Sequence, residues 1–395
     1  VPKNTTIAGL HAMRPEEYMI VDGRIMQDKA VVKMMQIGAK PNNLNEQWND
    51  KTYLHALNMG KLDDINMEDL KHVLLTNGEL FHQREKKVSP LVAPYVIKLE
   101  KEPKPCGTRP MNPNQREQLI EMTNKQLEKK IIEPCESPYT SPVILVPKKG
   151  GKIRFAIDYR ELNKCIAHDR YTIPNVDTSL SVLHGNKYYS ALDLTDAFWS
   201  VPLAEESRPL TAFQTPNGLY QYRYLPQGLR TASAVFCRYM DTILGSLKWT
   251  NVLTYVDDIL IFSDTAEKHI EVLHKVLTQL RLFNMTLAPH KCHLLMDSVN
   301  YLGHRIDKDG VHCDPDKIKA IAEMKLPQQR DELYSFMCQM RYYRRFVEGH
   351  MLKEKPLRDK FETKSPWKKD ANGLIIYTSE EVAAFESLRD ALSKD

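Results

Sequence analysis

Two adjacent aspartates, Asp257 and Asp258, interrupt the apolar run NVLTYVDDILIFS at residues 251–263. An ionised carboxylate in such surroundings costs several kcal/mol unless a positive charge compensates it. The nearest basic residues in the sequence, Lys248 and Lys268, both lie outside this run. A bound cation is therefore one source of the missing charge, and an exposed hairpin tip that needs no compensation is the alternative.

A third aspartate, Asp193 in SALDLTDAF, stands at the end of another predicted strand. Acids at a strand end and at a hairpin tip can converge across neighbouring strands. Mg²⁺ takes oxygen ligands and is usually held by one or two carboxylates together with substrate phosphates. Because adjacent residues of a regular strand point to opposite faces, Asp257 and Asp258 can share a site only if the chain turns there. Of these two, Asp257 is predicted to be the firmer ligand.

Basic residues gather in a second segment, VPKKGGKIRF. Lys149 and Arg154 can neutralise a triphosphate, since arginine offers a planar fork for phosphate oxygens and lysine a point charge. For Lys148 and Lys152, a solvated hairpin tip is the simpler interpretation. In LPQGL, Gln227 precedes a glycine, where its amide can contact an incoming nucleotide or cap an ordinary loop.

Phe198 lies three residues beyond a predicted turn at Thr195. An aromatic ring at this place can pack beneath a sugar and leave no room for the 2′-hydroxyl that distinguishes RNA from DNA units. The alternative is that Phe198 belongs to the core.

Helical patterns alternate with hairpin patterns along the chain, which favours an α+β fold with an antiparallel sheet. One helix with a buried stripe is predicted to continue until Pro134 stops it. One hairpin is predicted with its turn at the glycines 150–151, and another is predicted to turn at the adjacent aspartates. Helices are predicted at 66–81, 112–134, 233–244, 266–284, 314–324 and 330–350.

Length and composition restrict the class of protein. A chain of 395 residues is too long for one compact hydrophobic core. At roughly 100 to 200 residues per domain, its length predicts two to four units. The net charge of +4 means that a polyanion would be bound by local patches. The absence of a long apolar run and the seven scattered cysteines favour a protein of a reducing compartment without a membrane span. Since the sequence begins with valine, we expect a piece processed from a longer chain.

Six motifs in order carry a family resemblance that covers roughly residues 80 to 395. Together they closely resemble the reverse transcriptases of gypsy-type LTR retrotransposons and, slightly less, those of retroviruses. DLTDAF and LPQG look more retroviral, so the lineage stays open. The motifs are SPYTSPVILVPKKGGKIRFAIDYRELN, YYSALDLTDAFWSVPL, TAFQTPNGLYQYRYLPQGL, YVDDILIFS, YLGHRI and KIKAIAEMKLPQQRDELYSFMCQMRYYRRFV.

The resemblance implies a right-hand polymerase fold with fingers, palm and thumb, leading into a connection segment. The expected division is an N-terminal extension and linker at 1–110, fingers at 111–167 and 201–231, palm at 168–200 and 232–310, thumb at 311–350, and the start of the connection at 351–395.

It also implies roles for individual residues. Asp193, Asp257 and Asp258 resemble the catalytic acids that hold two Mg²⁺ ions, for which Mn²⁺ can substitute, with the carbonyl of Leu194 as an extra ligand. Arg154 matches the fingers arginine that meets the triphosphate. The remaining matches are Lys149 (or Lys148 or Lys152) at the triphosphate, Phe198 as the steric gate, Gln227 at the nucleotide, Tyr301, Leu302, Gly303 and His304 as the primer grip, and Arg341, Arg344 and Arg345 as phosphate contacts or a solvated face.

The activity implied is RNA- and DNA-templated DNA synthesis from a primer, with dNTPs as substrates, for replication of a retroelement genome. The expected partners are an RNA or DNA template with its primer, and a second copy of the chain or an RNase H-containing form.

No RNase H activity is expected, because VAAFESLRDALSKD precedes the place of that domain's acidic motifs. The expected location is the cytoplasm, inside virus-like particles. The alternatives are a catalytically silent or domesticated subunit and a viral RNA-dependent RNA polymerase; Phe198 argues against the latter.

Overall fold

Helices and strands alternate along the part of the chain that the computed structural model describes. This part comprises residues 18–21, 24–27, 52–61, 63–82, 88–104, 106–107, 109–147, 153–172, 174–362, 367–371 and 373–392. The chain divides into a first unit, Val1–Val182 with Asn186–Asp297, and a second unit, Leu183–Gly185 with Ser298–Asp395.

The described helices are α1 (Asp64–Thr76), α2 (Pro113–Glu128), α3 (Arg160–Asn163), α4 (Val176–Ser181), α5 (Ala232–Leu244), α6 (Ala266–Leu282), α7 (Pro315–Ala322), α8 (Arg330–Tyr342), α9 (His350–Glu362) and α10 (Ser379–Ala391). The described strands are β1 (Tyr18–Val21), β2 (Arg24–Gln27), β3 (Asn58–Met59), β4 (Ile132–Pro134), β5 (Val143–Pro147), β6 (Ile153–Ile157), β7 (Tyr188–Asp193), β8 (Phe213–Thr215), β9 (Gly218–Tyr222), β10 (Val252–Tyr255), β11 (Asp258–Ser263), β12 (His293–Met296), β13 (Ser298–Tyr301), β14 (His304–Asp307) and β15 (Gly310–Cys313).

A five-stranded sheet in the first unit carries the acidic motifs. Its strands run in the order β10-β11-β7-β12-β3, and all neighbours pair antiparallel except β12 and β3, which pair parallel. After Asp258, every residue of β11 is buried. Strand β11 is therefore an interior strand of the sheet, and only its first residue reaches solvent.

Helix α6 packs on β11 and β7 of this sheet. Its apolar residues recur at helical spacing, and Ile270, Leu273, Leu277 and Leu280 are buried against the main core. Thr265 caps the helix by accepting the Lys268 N–H. The predictions of this helix and of α5 are confirmed to within two residues.

Helix α2 ends earlier than the sequence predicts. A capping box formed by Asn112 and Gln115 starts it, but it stops at Glu128, six positions before Pro134. Lys130 has a left-handed φ of 54°, which turns the chain out of the helix. Residues Ile132–Pro134 instead form β4, which pairs with β9. The prediction that Pro134 stops the helix is therefore wrong, because burial of the neighbouring isoleucines against β9 outweighs helical continuation.

The second unit combines the three-stranded sheet β13-β14-β15 with helices α7 to α10. Its separate core contains Leu333, Phe336 and Met340 of α8 together with Phe385 and Leu388 of α10. The helix predicted at 330–350 is shorter in the structure, where it ends at Tyr342. Within the described ranges, no helix is both long and apolar enough to cross a membrane.

Candidate active site

The strand pairing of the first unit brings two of the three aspartates together. Asp258, the first residue of β11, pairs directly with Asp193, the last residue of β7. Directly opposed residues of an antiparallel pair have Cβ atoms about 4.5–5.5 Å apart on the same face. Two residues that are distant in sequence thus present neighbouring carboxylates at one end of these two central strands.

A tight turn accounts for the position of Asp257. The chain reverses at Val256 and Asp257 between β10 and β11, and Tyr255 pairs with Asp258. Val256 has a left-handed φ of 55°, an uncommon conformation for a β-branched residue. Asp257 and Asp258 are both exposed. The prediction of a hairpin that turns at the aspartates is confirmed.

A lysine supplies positive charge at this end of the strands. Lys291 Nζ lies 3.1 Å from Asp193 Oδ1 and 3.2 Å from Asp193 Oδ2. It stands at the end of a short 3₁₀ helix, Pro289–Lys291, that leads into β12. The segment before this helix is joined to the end of β7, since the Ala288 N–H donates to the Asp193 carbonyl and the Thr195 N–H donates to the Thr286 carbonyl.

Electrostatic repulsion is concentrated on Asp258. The pKa of its carboxyl is raised because part of the group is withdrawn from water and because Asp257 and Asp193 lie nearby, while Lys291 opposes the shift. Like charges so close together favour uptake of a proton or of a cation. Lys291 thus supplies part of the positive charge that the sequence around the aspartates lacks.

These carboxylates fit a divalent cation in number and type. Among the described residues, no three His, Cys, Asp or Glu side chains stand close enough together to hold a metal ion by themselves. One or two carboxylates are nevertheless the usual protein share of a Mg²⁺ site that is completed by water and substrate phosphates. Asp193 and Asp258 meet that requirement, and the ammonium of Lys291 lies where a cation is favoured.

Leu194, the predicted backbone ligand, is held in place by its neighbours. It forms a bridge with Leu287 and is buried. The two hydrogen bonds of this bridge use backbone groups of the flanking residues and not the carbonyl of Leu194. Whether this carbonyl binds a metal stays a prediction.

Phe198 follows the turn at Thr195 and Asp196, in a 3₁₀ helix spanning Ala197–Ser200. Asp196 has a left-handed φ of 53°, which redirects the chain immediately after β7. The ring of Phe198 is half-buried and packs on Phe236 of α5, with the ring centroids 5.2 Å apart. One side of the ring is therefore supported by the core, as a rigid steric barrier requires.

Gln227 lies in an exposed turn that is hydrogen-bonded to Asn163. Gly228 has φ of 96°, and its carbonyl accepts from Asn163 Nδ2 at 2.8 Å. The Arg230 N–H donates to Asn163 Oδ1, also at 2.8 Å. Asn163 ends helix α3, which follows β6. One amide side chain therefore holds the turn at two backbone positions that follow Gln227.

The triphosphate-binding prediction falls partly outside the described residues. The hairpin β5-β6 is confirmed, with Val146 paired to Arg154. Lys148, Lys149 and Lys152 lie outside the described residues, as does the side chain of Arg154.

The YLGH segment, described within the second unit alone, forms a two-residue turn between β13 and β14. Leu302 and Gly303 have φ of 48° and 68°. The Leu302 carbonyl accepts from the hydroxyl of Tyr342 and lies 2.8 Å from His304 Nδ1. The Gly303 carbonyl accepts from the Tyr343 hydroxyl at 3.0 Å.

The four residues of this predicted primer grip differ in how deeply they are buried. Tyr301 and His304 are buried, whereas Leu302 and Gly303 at the turn are half-buried. The rings of Tyr342, Tyr343 and Phe346 surround His304 with centroid distances of 5.2, 5.6 and 5.7 Å. Tyr301 and His304 therefore support the turn, and the turn itself is the surface that a primer can contact.

Three arginines, Arg341, Arg344 and Arg345, are predicted to be phosphate contacts or a solvated face, and Arg341 forms an ion pair within the protein. Its Nε lies 2.5 Å from Oε1 of Glu354, a buried residue of α9. Arg344 and Arg345 are exposed. Their contact with phosphate stays a prediction.

Sequence reasoning missed Lys291 and Asn163. Lys291 is separated from Asp193 by 98 positions, and APHKCH around it has no pattern that indicates a site. Asn163 closes the RELN stretch of a quoted motif, and only the structure shows that its amide holds the turn of Gln227.

With this geometry established, comparison with known proteins defines the class of the chain. Residues 146–306, which include all three aspartates, match the family model described as "Reverse transcriptase (RNA-dependent DNA polymerase)". The chain therefore carries a reverse transcriptase domain, as its motifs predict.

The more specific relationship is to gypsy-type retrotransposons. The chain is 37% identical over 283 residues to the retrovirus-related Pol polyprotein from transposon 297 of Drosophila melanogaster, covering 70% of this chain and 26% of that protein. It is 35% identical over 281 residues to the Pol polyprotein from transposon gypsy of the same organism, covering 69% and 27%. The chain thus spans about a quarter of the length of these curated relatives, and its reverse transcriptase is of the gypsy type.

Solved structures of foamy viral protease-reverse transcriptase share the fold. The structure of its dRH form in complex with double-stranded DNA has a TM-score of 0.78 at 24% identity, covering 90% of this chain and 62% of that one. The structure in complex with an RNA/DNA hybrid has a TM-score of 0.76 at 24% identity, covering 90% and 47%. The predicted α+β polymerase fold is confirmed, whereas the predicted boundaries of fingers, palm and thumb stay predictions.

Proposed function

We propose that this chain is an RNA- and DNA-templated DNA polymerase, a reverse transcriptase that extends a primer. The observation that carries the proposal is the direct pairing of Asp193 with Asp258 at the ends of β7 and β11, beside Asp257 in the adjoining turn. This is the arrangement of acidic ligands that phosphoryl transfer with divalent cations requires.

The protein's own residues place the reactants. Asp193 and Asp258 hold negative charge where the primer terminus and the triphosphate meet, and Asp257 joins them from the turn. In the reaction, the 3′-oxygen of the primer forms a bond to the α-phosphorus, and the bond to pyrophosphate breaks. When bound, two Mg²⁺ ions or Mn²⁺ supply the positive charge that favours the 3′-alkoxide and offsets the charge of the leaving group.

Other residues select and orient the nucleotide. The supported ring of Phe198 lies under the sugar and excludes a 2′-hydroxyl. Gln227, held on its fastened turn, contacts the incoming nucleotide. Lys149 and Arg154 neutralise the triphosphate from the hairpin, and the turn at Leu302 and Gly303 holds the primer end.

The proposed partners are an RNA or DNA template with its primer, dNTPs, and a second copy or an RNase H-containing form of the chain. Nucleic acid is bound through phosphate contacts, so affinity decreases with salt and tolerates changes of sequence. The kinship with transposon polyproteins supports action in the cytoplasm, inside virus-like particles.

A catalytically silent subunit is the other candidate. Loss of one of the acids would favour it, and Asp193, Asp257 and Asp258 are all present.

The test is primer extension on matched RNA and DNA templates with Mg²⁺, using the wild type and Asp193→Asn. The Asn variant keeps the size of the side chain and removes its charge, so we expect extension on both templates to be lost. Lys268→Met is the matched control, because it alters an exposed ion pair with Asp264 in the same unit. A wild-type chain that binds the primed template without extending it would establish the silent alternative.

A further inference from the structure

A buried imidazole connects the two strands that carry the paired carboxylates. His269 of α6 has no exposed surface, and neither do Ser190 of β7 and Ser263 of β11. The Nε2 atom of His269 lies 2.7 Å from Ser190 Oγ, and its Nδ1 atom lies 2.9 Å from Ser263 Oγ. One helical side chain thus contacts one hydroxyl from each strand.

The hydrogen-bond partners of the hydroxyls determine the direction of each bond. Ser263 Oγ donates its proton to the Thr265 carbonyl at 2.8 Å, so it accepts from the N–H of His269 Nδ1. Ser190 Oγ accepts the N–H of Leu295 at 2.9 Å, so its own proton is available for His269 Nε2. A neutral imidazole protonated on Nδ1 satisfies both hydroxyls, a tautomer assigned from its partners.

This arrangement is linked to the register of β7 and β11. Ser190 pairs with Ile261, and in the same register Asp193 pairs with Asp258. Since side chains alternate along a strand, the serines lie on the face that packs on α6 and the paired aspartates lie on the opposite face. Asp193 lies three positions after Ser190, about 10 Å along the strand. A slip by one residue would exchange the faces, removing a serine from His269 and a carboxylate from its partner.

An apolar residue would fill the same space without specifying the register. The faces of β7 and β11 that cover α6 are otherwise apolar, with Leu192, Ile259 and Ile261 buried. Apolar contacts are not directional, whereas a hydrogen bond is lost when donor and acceptor are displaced by an ångström. The imidazole therefore restricts the two strands to one relative position in a way that packing alone does not.

We infer that His269 is a positioning residue that sets the register of β7 and β11 and thereby the geometry of the Asp193 and Asp258 carboxylates. The inference rests on the proposed function for its catalytic consequence, but its structural consequence is a property of the free protein. The geometry of the carboxylate pair is measured by its affinity for a divalent cation, for which Mn²⁺ alone is a suitable probe.

The experiment compares His269→Leu, His269→Gln and the control His274→Gln in the full chain. Leucine fills the space without hydrogen bonds, whereas glutamine retains one donor and one acceptor. His274 is an exposed residue of the same helix. Each protein is titrated with Mn²⁺ by electron paramagnetic resonance, and kcat and KM for a dNTP are measured with primed RNA template.

For His269→Leu, we expect Mn²⁺ to bind about tenfold more weakly, because the carboxylates are no longer held in position. We expect kcat to fall by about 10- to 100-fold, the size of effect that a displacement of reacting groups by about 1 Å produces. Primed-template affinity is expected to stay unchanged. For His269→Gln, at least half of the lost Mn²⁺ affinity is expected to return, and His274→Gln is expected to match the wild type. A purely structural role would lower the folded fraction without changing the Mn²⁺ affinity of the protein that remains folded.

The inference is overturned if folded His269→Leu binds Mn²⁺ as the wild type does. If this variant does not fold, Ser190→Ala takes its place. It removes the donor to Nε2 together with the acceptor of the Leu295 N–H and leaves the imidazole in the protein. Unchanged Mn²⁺ affinity in that variant overturns the inference as well. A wild-type chain that fails to extend a primer refutes the proposed function, while the Mn²⁺ comparison still decides the role of His269.

Discussion

The burial of His269 makes a specific prediction about stability in acid. Its pKa is lowered from 6.5 to about 4, chiefly because the imidazole is buried, while a hydrogen bond to the backbone of Tyr188 acts in the opposite direction. Lys268 of the same helix pairs with Asp264, which precedes the helix, at 3.1 Å. Burial of the imidazole is the largest cause of the lowered pKa.

The sign and size of the effect follow from proton linkage. In the unfolded chain this histidine takes up a proton near pH 6.5, whereas in the folded chain it does so only near pH 4. As the pH falls between these values, the unfolded state binds more protons, and the free energy of unfolding decreases. At 1.36 kcal/mol per pKa unit, the full loss is about 3 kcal/mol at pH 4, and about 2 kcal/mol is already lost at pH 5.

The perturbation is His269→Gln, which cannot titrate. Urea unfolding followed by circular dichroism at pH 7 and pH 5 gives the decrease in unfolding free energy for each protein. We expect the decrease to be about 2 kcal/mol smaller in His269→Gln than in the wild type, because carboxylates and other histidines contribute equally to both. His274→Gln controls for the loss of an exposed histidine. An equal decrease in the wild type and His269→Gln would refute the buried neutral imidazole.

Three further substitutions test the proposed steric gate, the ion pair at Asp193 and, within the second unit, the turn at Leu302 and Gly303. Phe198→Ala opens the space beneath the sugar, so ribonucleotide incorporation relative to dNTP should rise at least about tenfold in competition assays. Lys291→Met removes the ion pair with Asp193, so Mn²⁺ should bind up to about fivefold more tightly in the absence of nucleotide, measured by electron paramagnetic resonance. Tyr343→Phe removes the donor to the Gly303 carbonyl and should lower the free energy of unfolding by about 1 kcal/mol, measured in urea.

Each of these predictions has a control and a contrary outcome. Phe155→Ala removes an aromatic ring of the β5-β6 hairpin and should leave sugar selectivity unchanged. Sugar selectivity equal to that of the wild type in Phe198→Ala would reject the gate. Lys268→Met should leave Mn²⁺ affinity unchanged, and unchanged affinity in Lys291→Met would show that its ion pair does not compete with the cation. Tyr334→Phe is the control for Tyr343→Phe, and equal stability of these two variants would reject the hydrogen bond to Gly303.

The sequence predicted the elements whose signals are local. The acidic pair at 257–258 marks a turn between two runs of β-forming residues, and the structure has a hairpin at that place. Apolar periodicity likewise predicted α5 and α6 to within two residues. The end of α2 was not predictable in this way, because it depends on the pairing of β4 with β9, nearly ninety residues later in the chain.

Contacts between distant residues account for what the sequence did not reveal at the site. Lys291 resembles any exposed lysine until β12 is placed beside β7, which brings it to Asp193. His269 falls on the apolar stripe of α6, and nothing near it in sequence indicates that Ser190, 79 positions earlier, contacts it. The chemical types of the acids were readable because their side chains are unusual for a strand. Their supporting partners are ordinary residues that acquire a role only through the fold.

The most direct test of the account is single-nucleotide incorporation by Asp257→Asn on a primed RNA template with Mg²⁺. Primed-template binding is measured in the same samples by fluorescence anisotropy, and the wild type is run beside the variant. The account predicts that incorporation is abolished while the dissociation constant for primed template stays nearly unchanged. Substantial incorporation by Asp257→Asn would contradict the assignment of these carboxylates as the catalytic site.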